Sequence, residues 1–375
     1  MKRIDWLDML RGYALVCIML DHMPVSMLRD VTLANFALFD AAELFVLLSG
    51  FLVGLVWKQV SDRDGVRTAQ WRFLRRSFQV WRAMLLGALS MALISAVLLE
   101  VGLKHTAIWN EYARMVVEAP AAFAAAVGSM WMQPNLLDVL ALYVVLIATV
   151  PLTLPLLRRW PVQFALGSAL LWVVAVPLNQ TLPNHRPDGG FLFNPFGWQV
   201  LFFAGTAIGL FRHEMMTRLR PYANWLTAIS AVILAYGLLY DLLAHFGAPA
   251  KPLRGMMELA LGPIDKWSMD GARFVSILAA SWLAATVLSA PLGRLADTTG
   301  GRALALIGRG GLWSFIACVW LSVLGDALQL QIPEPLARLR ILVDAAVILA
   351  LWALAALWMR REAWIVHLPR WSRAS

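Results

Sequence analysis

Charge is what this sequence has least of. Asp, Glu, Lys and Arg supply 15% of the residues, where a soluble domain carries about a quarter. With 60% hydrophobic residues and mean hydropathy +0.68, the chain has too little polar surface for a soluble enzyme. Cysteine is scarce as well. Cys17 and Cys318 both fall in apolar segments and read as small buried side chains, which excludes a disulfide framework. The six histidines show no metal-ligand spacing, so no metal and no tightly bound cofactor are expected. A cleavable signal peptide is not expected either, because Asp5, Asp8 and Arg11 interrupt the first apolar run. No internal repeat is visible, which speaks against an inverted-repeat transporter.

Long apolar runs are what the chain does have. A helix needs about 20 apolar residues to cross the hydrocarbon core. Read at that length, the sequence predicts spans at 4–24, 40–58, 76–102, 136–157, 161–180, 195–211, 221–245, 272–292, 304–325 and 339–359. The expected fold is an all-α polytopic membrane protein with about ten transmembrane helices. It forms one domain over 1–375, closed by a short basic tail at 366–375. Lysine and arginine favour the segments on the N-terminal side by about two to one, which predicts that both termini are cytoplasmic. The same bias accounts for the net charge of +9 without nucleic acid as a partner; the partner in which the chain sits is the lipid bilayer.

Arg11 and His22 stand out on the first span. An ionisable side chain in the bilayer costs at least a few kcal/mol unless it faces a partner or water, so it marks function by default. Eleven steps of 100° bring both residues to one helix face, about 16 Å apart along the axis. On the predicted topology, His22 ends its helix at the outer side. Other polar residues begin helices there: Asp40 with Glu43, Asp138 ahead of Tyr143, Asn194 ahead of Trp198 and Gln199, and Asp265 ahead of Arg273. Asp138 reads equally as a residue that complements the helix dipole, and Asn194-Pro195 as a cap with its first turn. Glu43 lies a turn inside an apolar run and calls for a cationic or hydrogen-bonding partner, for which His22 is the natural candidate.

The inner side carries a second group. Arg72, Arg75, Arg76 and Arg82 follow one another at helical spacing, and Arg11 and Arg309 approach from the same side. Positive-inside bias explains one or two of these. The whole set suits an anion that reaches into the membrane, and guanidinium forks suit phosphate.

Several stretches resemble a known family. Arg11 with ten residues before His22 is similar to the first-helix motif of the membrane acyltransferase 3 superfamily. Within it, Leu7–Gly12, Asp21-His22, Asp40–Phe51, Asp138–Tyr143, Asn194–Gln199 and Asp265-Lys266 with Arg273 are similar to the OpgC family. One stretch departs: Gly308-Arg309-Gly310-Gly311-Leu312 stands where related proteins tend to carry Gly-Arg, a polar residue and Ser-Leu. The resemblance implies a bacterial inner-membrane enzyme that moves an acyl group, with succinyl favoured, from cytoplasmic acyl-CoA to a hydroxyl of a periplasmic or extracellular glycan. On that reading His22 is the general base and Glu43, Asp40 or Asp21 orients its ring. The arginines hold the donor's phosphates, and Asp138, Tyr143, Asn194, Trp198, Gln199, Asp265 and Arg273 lie on the acceptor side. A transporter or flippase for an anionic or acylated substrate remains the alternative, since a permeation pathway also needs buried charge.

Overall fold

The first span is the weakest of the ten by hydropathy, and it is largely enclosed by protein. α1 (Asp5–Asp21) buries Leu7, Met9, Ala14, Leu15, Val16, Cys17, Ile18, Met19 and Leu20 around nearly its whole girth. A helix buried on all sides belongs at the centre of a bundle. Its polar residues therefore face other helices rather than lipid. The computed structural model describes residues 5–185, 189–262 and 264–367. Among these the regular structure is helical throughout, with no strand. Lys2, Arg3, Arg186, Arg370 and Arg373 of the charge count, and most of the basic tail, lie outside the described residues.

α2 (Ala41–Asp64) and α3 (Val66–Glu100) follow α1. The short α4 (Ala107–Glu118) and α5 (Pro120–Gly128) pack on α3. α6 (Asp138–Arg159) runs antiparallel to α3, with Ser77 Oγ donating to the Val144 carbonyl at 2.9 Å and Gln70 Nε2 to that of Pro151 at 2.9 Å. α7 (Pro161–Val173) and α8 (Ala175–Gln180) lead into α9 (Pro195–Leu219) and α10 (Ala223–His245). The chain closes with α11 (Lys251–Leu261), α12 (Gly271–Ala285), α13 (Ser289–Ala296), α14 (Thr299–Gly310), α15 (Leu312–Leu330) and α16 (Arg340–His367).

Two close crossings set the frame. α2 and α9 lie side by side and parallel. A β-carbon on Gly50 or Gly54 would overlap the backbone of Phe202 or Thr206, and one on Gly205 or Gly209 that of Leu47 or Phe51. α1 and α14 cross antiparallel with the same economy of side chain: Gly12 sits against the Leu304 carbonyl and Gly308 against that of Asp8. Small residues let membrane helices approach backbone to backbone. Buried carboxylates brace the far end of the bundle. Asp344 accepts from the Met27 and Leu28 amides at 3.0 and 3.1 Å, and Asp326 from the Thr106 amide and hydroxyl at 2.8 Å each.

The span count differs from the ten expected. Among the described residues, six helical stretches are long and apolar enough to cross a membrane, or seven if a bent pair counts as one. α1, with 17 residues or about 25 Å at 1.5 Å per residue, is too short for that set. The expected span at 161–180 is two short helices, because the helix breaks near Val174. The one at 272–292 is the pair α12 and α13, bent by 76°. The one at 304–325 turns back at Gly311, whose φ of +57° suits glycine; only α15 of that stretch is long enough. The apolar stretch Pro195–His245 has 51 residues, about 76 Å if straight, and instead folds back at Arg220–Tyr222. α9 starts beside Trp267 and Ser268, and α10 ends with Tyr240 packed near Ala272, so the start of α9 and the end of α10 both meet the segment that leads into α12.

Candidate active site

His22 follows directly on the last turn of α1. Its Nδ1 lies 2.7 Å from the Ile18 carbonyl oxygen. A carbonyl can only accept, so Nδ1 carries the proton and Nε2 keeps its lone pair. The orienting partner is thus the backbone of the preceding turn. Asp21 points elsewhere: its Oδ1 accepts from Thr32 Oγ1 at 2.6 Å and ties the end of α1 to the loop ahead of α2. Asp40, Lys266 and Arg29 are the charged groups within electrostatic reach of the imidazole.

Asp40 and Glu43 form a capping box at the start of α2. Asp40 Oδ1 accepts from the Ala42 amide at 2.7 Å, and Glu43 Oε2 from the Asp40 amide at 2.9 Å. Glu43 has no exposed surface, and its other oxygen takes Arg273 Nε and Nη2 at 2.6 Å each. Asp40 Oδ2 takes Lys266 Nζ at 2.6 Å and Arg273 Nη2 at 3.3 Å. Glu43 therefore does not pair with His22 as expected; Arg273 is the cation it needed. Burial alone would lower the pKa of Lys266, but the Asp40 and Glu43 carboxylates outweigh burial and raise it. Two acids and two bases lock α2, α12 and the loop before α12 together.

The stretch Asn194–Gln199 clamps that loop. Asn194 caps α9 by accepting from the Phe196 and Gly197 amides at 3.0 and 3.2 Å, and donates to the Ala175 carbonyl at 2.9 Å. Trp198 Nε1 donates to the Lys266 and Trp267 carbonyls at 3.1 Å each. Gln199 donates to the Ser168 carbonyl at 2.8 Å and accepts from its hydroxyl at 2.7 Å. Asp265 accepts from the Trp267 and Ser268 amides at 2.9 and 3.2 Å and shapes the turn. Asn194, Trp198 and Asp265 hold the loop that carries Lys266, while Gln199 ties α9 to α7. Asp138 opens α6 and accepts from the Val139 amide at 2.8 Å, so the structure gives it a helix-start role.

A second group gathers at the N-terminal half of α1. Arg11 has Asp8 at 3.9 Å, and its charge reaches Arg76 and the buried Tyr143. Tyr143 donates to the Phe45 carbonyl at 3.3 Å. Two guanidiniums with one distant acid make a centre that favours an anion. Arg309 is engaged differently: it pairs with Asp5, and with Asp8 at 3.5 Å. The α3 arginines divide by helix face. Phe73, Ser77, Val80 and Met84 define its buried side. At 100° per residue, Arg76 flanks that side, Arg72 lies further round the helix, and Arg75 and Arg82 point away from it. The outward face also carries exposed Trp71, Leu74, Phe78 and Leu86, the pattern of a lipid-facing surface.

Sequence reasoning missed a cavity beside the carboxylates. About 250 Å³ in volume, it is bordered by Asp40, Arg273, Asp241, Arg254 and Tyr240. Asp241 stood in the sequence as an acid inside the apolar run 221–245, which was a usable signal. The Ile18 carbonyl gave no signal, since every residue has one. A larger recess of about 460 Å³ between Leu156, Trp160, Gln163 and Phe164 is apolar and holds none of the candidate residues. Among the described residues no group of His, Cys, Asp and Glu is arranged to hold a metal ion.

The arrangement is thus an imidazole with a free Nε2 near a buried ion network at one end of α1, and a cationic centre on the same helix nearer the other end. Among curated proteins and among solved structures, nothing matches the chain. The family described as OpgC protein matches residues 2–363; across nearly its whole length, this chain belongs to the OpgC protein family.

Proposed function

We propose that this protein is an integral membrane O-acyltransferase. It transfers an acyl group, succinyl in the favoured case, from cytoplasmic acyl-CoA to a hydroxyl of a periplasmic or extracellular glycan. It acts in the bacterial inner membrane as one domain over 1–375, with both termini cytoplasmic. The observation that carries this reading is the bond between His22 Nδ1 and the Ile18 carbonyl. It leaves Nε2 as a base on a helix whose other functional residue is a guanidinium.

Family membership supports the reaction class, and the chemistry of the two ends of α1 supports the direction. Coenzyme A carries several phosphate charges, and Arg11, Arg76 and Arg72 offer the cations they need. The pantetheine arm then carries the thioester along α1 towards His22, about 16 Å from Arg11 along the axis. A sugar hydroxyl is a weak nucleophile at neutral pH. His22 Nε2 takes its proton as the oxygen attacks the thioester carbonyl carbon. The tetrahedral adduct collapses, the C–S bond breaks, and the coenzyme A thiolate takes the proton back from the imidazolium. An O-acyl ester and free thiol result, with no acyl-enzyme. Lys266, Arg273, Asp40 and Glu43 hold the loop and helix start that face the acceptor. Arg309, Arg75 and Arg82 take supporting rather than donor-binding roles.

The test is purified protein with isotopically labelled succinyl-CoA and a neutral glucan. Ester formation and thiol release in equal amounts are expected. A donor that stays intact while label crosses a sealed vesicle would replace the enzyme with a transporter.

A further inference from the structure

We propose that the cavity between α10, α11, α12 and the loop before α2 binds one neutral sugar ring of the acceptor, with Asp241 as its determining residue. The proposal rests on the acyltransferase reading, and adds to it where the acceptor is held and which chemistry is selected.

At about 250 Å³, the cavity is near the low end of small-molecule sites and suits a single ring. Its wall is mostly polar and balanced in charge: Asp40 and Asp241 against Arg254 and Arg273. Arg273 and Asp40 are already committed to each other and to Glu43 and Lys266. Arg254 is held over the Tyr240 ring at 4.6 Å, donates to the Tyr240 hydroxyl at 3.2 Å, and has Glu258 at 3.7 Å. Arg254 Nε and Arg273 Nη2, also without a hydrogen bond, face ion-pair partners. The Asp241 carboxylate has no ion pair among the described residues, and its Oδ2 is shielded from solvent with no hydrogen-bond partner among them. A buried carboxylate oxygen without a donor is costly, and calls for one.

A sugar ring supplies it. Each hydroxyl both donates and accepts, so adjacent hydroxyls can give hydrogens to Asp241 and take them from the Arg254 guanidinium. Phe39 and Leu38 offer apolar wall to the C–H face. Charge balance disfavours an anion, so the acyl-CoA donor does not compete for this cavity. Asp40 belongs both to this wall and to the charges that act on His22, which puts a ring bound here at the same end of α1 as the base. α11 closes the cavity with Arg254 and turns exposed Leu253, Met256 and Leu259 the other way, towards lipid.

The experiment titrates the detergent-solubilised full chain with a neutral gluco-oligosaccharide and with the same oligosaccharide oxidised to a uronic acid. Binding is read by calorimetry, and melting temperature checks the fold. The wild type is expected to bind the neutral probe saturably and the acidic probe more weakly. Asp241→Asn and Arg254→Met should each weaken neutral binding by about tenfold or more, the effect of one charged hydrogen bond. Unchanged binding in both folded variants overturns the proposal, as does the absence of saturable binding to the wild type. Asp241-dependent binding without acyl transfer would leave the sugar site standing and remove the acyltransferase reading.

Discussion

At the scale of single residues, His22 and Glu43 have separate tasks. The imidazole is oriented by a main-chain carbonyl 2.7 Å away, and Glu43 spends both oxygens on Arg273 and the α2 cap. Removing Arg273 leaves Glu43 buried and uncompensated, a loss of about 3–5 kcal/mol by the usual cost of breaking such a pair. We expect Arg273→Met to lower the melting temperature sharply and Glu43→Gln in the same chain to recover part of the loss, measured as a double-mutant cycle. Additive losses would mean the pair is not coupled. Both ends of the Arg11 to His22 motif were legible in the sequence, because charge inside an apolar run is conspicuous. So was the need of Glu43 for a partner. Its identity was not, since Arg273 lies 230 residues away in sequence and only tertiary packing joins them.

At the scale of helices, face decides role. Four arginines at helical spacing read as one cluster in the sequence, yet the buried face of α3 splits them. Knowing which side of a helix is buried requires knowing its neighbours, and α3 is apolar nearly all round beyond Arg82. Arg76→Ala should raise the KM for acyl-CoA about tenfold, as loss of a charged hydrogen bond does. Arg75→Ala should change it by less than about twofold, as surface substitutions do. Steady-state kinetics on the three proteins checks both. The glycine crossings are a second element-scale feature. A leucine at Gly209 would meet the Phe51 carbonyl, so Gly209→Leu should cost at least about 1–3 kcal/mol, read as loss of folded protein after detergent extraction. The pattern of small residues was present in the sequence, but which helix each one meets was not.

At the scale of the whole molecule, α1 is a core packed among α14, α2, α15 and α13, of which α2 and α15 are the longer helices. Hydropathy found those longer helices and overcounted where short or bent pieces fill the bundle. A span is predicted from length and apolarity, and α12 and α13 together have the apolarity of a span without a straight run long enough to cross. The N-terminal end of α1 and the later part of α16 lie at one end of the bundle, since Gly310 sits by Ala355 and the Trp313 and Trp358 rings stack at 4.9 Å. On the proposed topology that end is cytoplasmic. Both native cysteines are buried, so single introduced cysteines can report sidedness. Arg63→Cys should react with a membrane-impermeant maleimide only from the cytoplasmic face, and Phe246→Cys only from the opposite face. Labelling of both from one face would contradict the orientation.

The central claim is that His22 is the base for a donor bound at the other end of its helix. Its most direct test is His22→Ala, purified and reconstituted, with acyl-CoA binding and acyl transfer measured on the same sample. The account predicts donor affinity within about twofold of wild type, as for a site that loses no contact. It also predicts transfer reduced by about 10²–10⁴, the usual share of general-base catalysis. Transfer at the wild-type rate by the folded variant would contradict it.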